Sequence, residues 1–123
     1  MQLEHEKPDS PIFVKHYKSG ELTLPQQTFS HSVIITPEAI INDNWNVKSI
    51  DELNLDTIDP LIELDVHVYL LGTGATSQIP TQEIIIAFAR LGKSIDFMDS
   101  AAACRTFNIL ANEGRRVAAA IIV

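Results

Sequence analysis

Val66-His67-Val68-Tyr69-Leu70-Leu71-Gly72-Thr73-Gly74 is the stretch whose reading decides the fold. Apart from His67 it is apolar on both faces as far as Leu71, the pattern of a strand buried centrally in a parallel sheet. Gly72 to Pro80 then reads as a turn-rich loop. Beyond it Thr81 is placed to cap a helix, with Glu83 near its positive end. Ile84, Ile85, Phe88 and Leu91 recur at helical spacing, and Gly92 ends the helix. Ile95 to Met98 is a short strand. Asp99 or Ser100 caps a second helix with Ala103, Phe107, Leu110 and Ala111 as one apolar stripe, and Gly114 ends it. Val117 to Val123 is small-then-branched and apolar throughout. The half from Asp65 to Val123 is therefore β-α-β-α-β, and parallel crossovers wind right-handed.

Toward the N-terminus the pattern changes. Ile12 to Tyr17 alternates as a strand does, Lys18-Ser19-Gly20 is a turn, and Glu21 to Leu24 continues as a short strand. Phe29 to Ile35 is a stronger strand, with Phe29, Val33 and Ile35 on one side. Together these predict an antiparallel meander. Between residues 37 and 62 the signals are local. Asn42-Asp43-Asn44 is a turn. Ser49 and Glu52 fit a capping box, and Asp59-Pro60 marks a break before a one-turn helix over Leu61 to Leu64. Residues 1–10 read as a polar arm, with Pro8 and Pro11 opposing helix, and residues 11–123 as a single domain. The fold class expected is α/β: a mixed central sheet with an N-terminal meander followed by the β-α-β-α-β half.

Bulk properties narrow the function. A chain of 123 residues that is 46% hydrophobic fills one core. The net charge of −7 argues against nucleic acid, whose backbone demands clustered Lys and Arg. The polar N-terminus carries no secretory signal, and no apolar run approaches the roughly 20 residues a membrane span needs. A single cysteine, Cys104, forms neither an intrachain disulfide nor a multi-cysteine zinc site. A reducing cytoplasm is the location expected.

Several groups are weighed as chemistry. Gly72, Thr73, Gly74, Thr76 and Ser77 sit at the carboxyl end of a strand, where α/β proteins place ligands, and their amides and hydroxyls suit an anion. Ser77 stands where a dinucleotide motif needs its third glycine, and no phosphate-binding Lys follows. The bland alternative is a turn leaving a buried strand. Asp99, Arg105 and Asn108 extend this candidate site from the loop and helix after the neighbouring strand. Cys104 has Arg105 beside it in sequence but lies at the edge of the apolar stripe, as a packing residue does. His5, His16, His31 and His67 show no paired metal-ligand spacing. His67 reads as a core histidine with Asp65 on its face. Arg115 or Arg116 is available to Glu113 or Asp99. Ile86 and Ile109 fall on the polar sides of their helices, and on one shared surface they would form a contact patch.

The run Met98-Asp99-Ser100-Ala101-Ala102-Ala103-Cys104-Arg105-Thr106-Phe107-Asn108-Ile109-Leu110, continuing into Glu113-Gly114-Arg115-Arg116-Val117-Ala118-Ala119-Ala120, resembles the Mth-domain family. Gly72-Thr73-Gly74 behind an apolar strand, and Trp45 after the Pro37 turn, resemble it too. The resemblance spans roughly residues 10–123. It implies a three-layer domain around a mixed sheet. It implies no catalytic residue and no cofactor. Its eukaryotic relatives, a mitochondrial complex I assembly factor and the adipogenesis-associated Mth-domain protein, imply work through protein contacts. The leading expectation is accordingly a non-enzymatic domain that binds a protein partner, or a second copy of itself. The rival is a small-molecule or anion site, with or without catalysis, at the Gly72-Thr73-Gly74 loop.

Overall fold

A computed structural model describes residues 11–123, so the arm expected over residues 1–10 lies outside the described residues. Strands β1 (His16–Lys18), β2 (Glu21–Thr23) and β3 (Thr28–Phe29) form the antiparallel meander as a sheet of their own. Strands β4 (Val33–Ile35), β5 (Ile40–Asn42), β6 (Val68–Gly72), β7 (Ile95–Met98) and β8 (Val117–Ile121) form the central sheet in the order β5-β4-β8-β6-β7. β8 is antiparallel to β4 and parallel to β6, so the sheet is mixed, as expected. The helices are α1 (Leu55–Ile62), α2 (Gln82–Arg90) and α3 (Ser100–Asn112).

The strand order explains where the helices lie. The chain passes from β6 outward to β7 through α2, then back across β6 to β8 through α3. Two right-handed crossovers running in opposite directions along a sheet must use opposite faces. The buried clusters agree. Val33, Ile35, Leu70, Val117, Ala119 and Ile121 pack with α3 and the meander. Ile34, Tyr69, Leu71, Ala118, Ala120 and Ile122 pack with α1, α2 and Trp45. The three layers are thus the meander with α3, the central sheet, and α1 with α2.

Five local readings are corrected. Phe29 to Ile35 is not one strand: Phe29 pairs with Leu22 in the meander, whereas Val33 pairs with Ile121 in the central sheet. Ser32 turns the chain between them, its hydroxyl donating to Val47 O at 2.6 Å and its carbonyl accepting from Trp45 N at 2.8 Å. The hairpin strand β5 was hidden behind Pro37, where Thr36 N donates to Ala39 O at 2.9 Å and closes the turn. α1 runs through Asp59-Pro60, because Asn54 and Thr57 form the working capping box and Leu61 and Ile62 are buried. Ser49 makes no side-chain cap; Glu52 reaches past it to Lys48 N at 2.8 Å. Finally, β6 begins at Val68, leaving His67 exposed. Asp65 pairs instead with Arg116 at 3.1 Å, and not with His67.

Candidate functional site

Gly72, Thr73 and Gly74 are brought together with the start of α3, but their polar groups turn inward. The Thr73 hydroxyl donates to Thr76 O at 2.7 Å and accepts from Gln78 N at 3.1 Å, and Thr73 N donates to Met98 O at 2.8 Å. Gly74 N donates to Ser100 Oγ at 2.9 Å, and Ser100 N returns a bond to Gly74 O at 2.8 Å. Ser100 Oγ itself donates to Ile122 O at 2.6 Å. The loop after β6, the start of α3 and the residue following β8 therefore meet on one buried hydroxyl. The amides and hydroxyl that an anion would need at Thr73 and Gly74 are already bonded. Thr76 and Ser77 are exposed beyond them. Gly72 is required by proximity: a Cβ there would lie 2.8 Å from Ser100 Oγ and 3.0 Å from Ser100 Cα.

Asp99 caps α3, its carboxylate accepting from Ala102 N at 2.9 Å. Arg105 and Asn108 lie farther along, roughly 9 Å or more up the helix at 1.5 Å per residue, and the structure groups them elsewhere. Asn108 clasps the segment entering β1, accepting from Val14 N and donating to Val14 O, both at 2.8 Å. Between β1 and α3 opens a cleft of about 320 Å³, lined by residues that include Lys15, His16, Tyr17, Cys104, Arg105 and Asn108. Of these, sequence reasoning placed Arg105 and Asn108 in its candidate site, and weighed Cys104 and His16 only separately. The place of Lys15, His16 and Tyr17 beside α3 was missed because the register that lays β1 along α3 joins residues some 90 positions apart.

Among the described residues, the fixed charges that line this cleft are cationic. Lys15 and Arg105 are exposed, and among the described residues neither side chain is held by a hydrogen bond or an ion pair. Among the described residues the cleft lining contains no carboxylate. Burial pushes the Cys104 thiol up to about 12, with Arg105 opposing and Asp99 adding to the shift, so the sulfur is a neutral packing atom rather than a nucleophile. Burial also raises the Tyr17 phenol above its ordinary value. Ser100 Oγ lies close enough to oppose that rise but is engaged by Gly74 and Ile122, and among the described residues the buried Tyr17 hydroxyl has no partner in hydrogen-bond geometry. Leaving such a donor unpaired costs about 1–3 kcal/mol. Among the described residues no group of three or more His, Cys, Asp or Glu side chains could hold a metal ion.

Ile86 and Ile109 are both exposed, at 45% and 58%, but they project from α2 and α3 on opposite faces of the central sheet. They do not form one patch. Ile79 (76% exposed) and Leu91 (59%) flank α2 in the chain, and Leu55 on α1 and Ile41 on β5 are exposed as well. The reading of helix phase found Ile86 but set Leu91 on the apolar stripe; Leu91 is instead the cap residue after α2 and is exposed, and Ile79 lies before the helix.

Comparison with known proteins places the chain. Residues 14–122 match the family model described as protein of unknown function (DUF498/DUF598). The 13 kDa major membrane protein of Francisella tularensis subsp. holarctica is 34% identical over 99% of both chains. NADH dehydrogenase [ubiquinone] 1 alpha subcomplex assembly factor 3 of Danio rerio is 33% identical over 72% of this chain and 51% of its own length. The chain thus spans about half of that assembly factor. Among solved structures, a Xanthomonas campestris protein superposes with a TM-score of 0.82 at 35% identity, covering 100% of this chain and 92% of its own. A Mth938-like domain from Bordetella pertussis gives 0.77 at 26% identity, covering 98% and 91%.

Proposed function

The chain belongs to the DUF498/DUF598 family of proteins of unknown function, and within it we propose a non-enzymatic domain that acts through protein contacts in assembling a respiratory complex. The observation that carries this reading is the similarity to the NADH dehydrogenase assembly factor over most of this chain. The exposed apolar side chains Ile79, Ile86 and Leu91, on α2 and next to it in the chain, support it physically, since large exposed apolar groups favour burial against a partner. The neutral Cys104 and the internally bonded Thr73 and Gly74 weigh against a reacting group at either candidate site. The location belonging to this reading is cytoplasmic, at a membrane complex rather than across the bilayer; among the described residues no helix is long and apolar enough to cross one.

Crosslinking followed by mass spectrometry in respiring cells of the source organism tests the proposal. The expected result is a reproducible subunit or assembly intermediate crosslinked to the full chain. Ile86→Asp with Leu91→Asp should abolish it, and Ile109→Asp should leave it intact. Recovery of no reproducible partner, or a partner indifferent to the α2 substitutions, overturns the reading.

A further inference from the structure

We propose that the cleft between β1 and α3 binds a small phosphorylated molecule, its phosphate held by Lys15 and Arg105 beside the Tyr17 ring. The inference is independent of protein contacts on α2, which lies across the central sheet from this cleft. It relocates the anion site from the Gly72 loop, whose Thr73 and Gly74 donors are internally consumed, to a place where donors stand free.

Three observations carry it. First, the cleft holds about 320 Å³, within the size range of small-molecule sites. Second, its charge runs against that of the molecule. The chain carries −7 overall, yet among the described residues this lining brings together Lys15, Arg105 and the His16 imidazole with no carboxylate. Elsewhere several cations are engaged: Lys18 with Glu21 at 3.3 Å, Arg116 with Asp65 at 3.1 Å, and Lys93 with Ile62 O at 2.6 Å. Unpaired like charges at one concavity repel, and an oxyanion relieves that repulsion. Third, the walls are fixed before any ligand arrives. Asn108 pins Val14 through two 2.8 Å hydrogen bonds, and Lys15 N is bonded to Thr23 O at 2.8 Å, so the backbone that carries the cations is already ordered.

The choice of phosphate follows from donor geometry. An Arg fork and a Lys ammonium on separate elements approach an anion from different directions, and a tetrahedral phosphate offers oxygens to both. The aromatic wall at Tyr17 and the apolar Val14 and Ala101 leave room for an organic moiety attached to it. A soluble phosphate ester and an anionic lipid headgroup share this chemistry.

The test is a titration of the full chain with phenyl phosphate, followed by amide chemical shifts. Parallel sedimentation uses vesicles of phosphatidylglycerol with phosphatidylcholine, and of phosphatidylcholine alone. The expected result is a saturable shift confined to residues 14–17 and 101–108, or sedimentation with the anionic vesicles only. Lys15→Gln with Arg105→Gln should weaken either by about tenfold or more, as loss of a charged hydrogen bond does. The exposed Lys48→Gln with Arg90→Gln, which removes equal charge elsewhere, should change it little. Shifts with phenyl phosphate assign a soluble ester; sedimentation without them assigns a headgroup. Absence of both, or equal weakening by the two double variants, overturns the proposal. Lys15 and Arg105 are exposed, so their replacement is compatible with folding, and unaltered amide shifts elsewhere in the spectrum check it.

Discussion

Ser100 shows how much a single hydroxyl can organise. It is fully buried, takes the Gly74 amide and gives its proton to Ile122 O, and it stands where any side chain at Gly72 would collide with it. Gly72→Ala should therefore lower stability by about 1–3 kcal/mol, the range for overpacking a closed site, read as a shift in the urea midpoint. The sequence marked Gly72 as part of a ligand loop; its requirement is steric, and that signal appears only once α3 is laid against β6. Cys104 makes the opposite case, since its place at the edge of the apolar stripe already indicated a packing residue. With the thiol pushed up to about 12, its charged form is scarce at any pH below that value and grows as pH rises toward it. At pH 8 iodoacetamide should modify it at least a hundredfold more slowly, by order of magnitude, than in denaturant. Equal rates would show that the sulfur is not held in its packed position.

Among the elements, the β-α-β-α-β half was legible because each piece carries its own signal. β6 and β8 are apolar on both faces, α2 and α3 have apolar stripes, and Gly92 and Gly114 adopt φ of +71° and +75° where the helices end. The meander was legible as strands but not as a separate sheet, since sheet membership depends on pairing partners far away in sequence. α1 was misread because the Pro60 signal is local and strong, whereas Asn54-Thr57 capping and the burial of Leu61 work together to override it. Its end is held by groups no local pattern reveals. Lys93 Nζ donates to Ile62 O at 2.6 Å and lies 5.2 Å from the centre of the Tyr69 ring, and the Tyr69 hydroxyl donates to Leu64 O. The joint between β1 and α3 adds to its apolar packing two hydrogen bonds from one side chain, Asn108. Asn108→Ala leaves the Val14 amide and carbonyl without their partner. The expected outcome is a loss of about 1–3 kcal/mol and faster amide exchange at Val14, with β6 and β8 protection changed only by the global shift.

Across the whole molecule, β8 joins the two cores. Val117, Ala119 and Ile121 face one and Ala118 and Ala120 the other, and every residue of the strand is buried. The cores should therefore unfold together. Trp45, the sole tryptophan, sits in the core with α1 and α2. Ala119→Val inserts its extra bulk on the α3 side and should cost about 1–3 kcal/mol. The Trp45 fluorescence midpoint and the circular dichroism midpoint should nevertheless move together. Separation of the two midpoints would show that the layers melt independently.

The winding that sends α2 and α3 to opposite faces has a further geometric result. No single flat surface can shelter both Ile86 and Ile109. A partner seated on one leaves the other in water, so full coverage takes either two bodies, with this domain as the spacer between them, or one that wraps around the edge of the sheet.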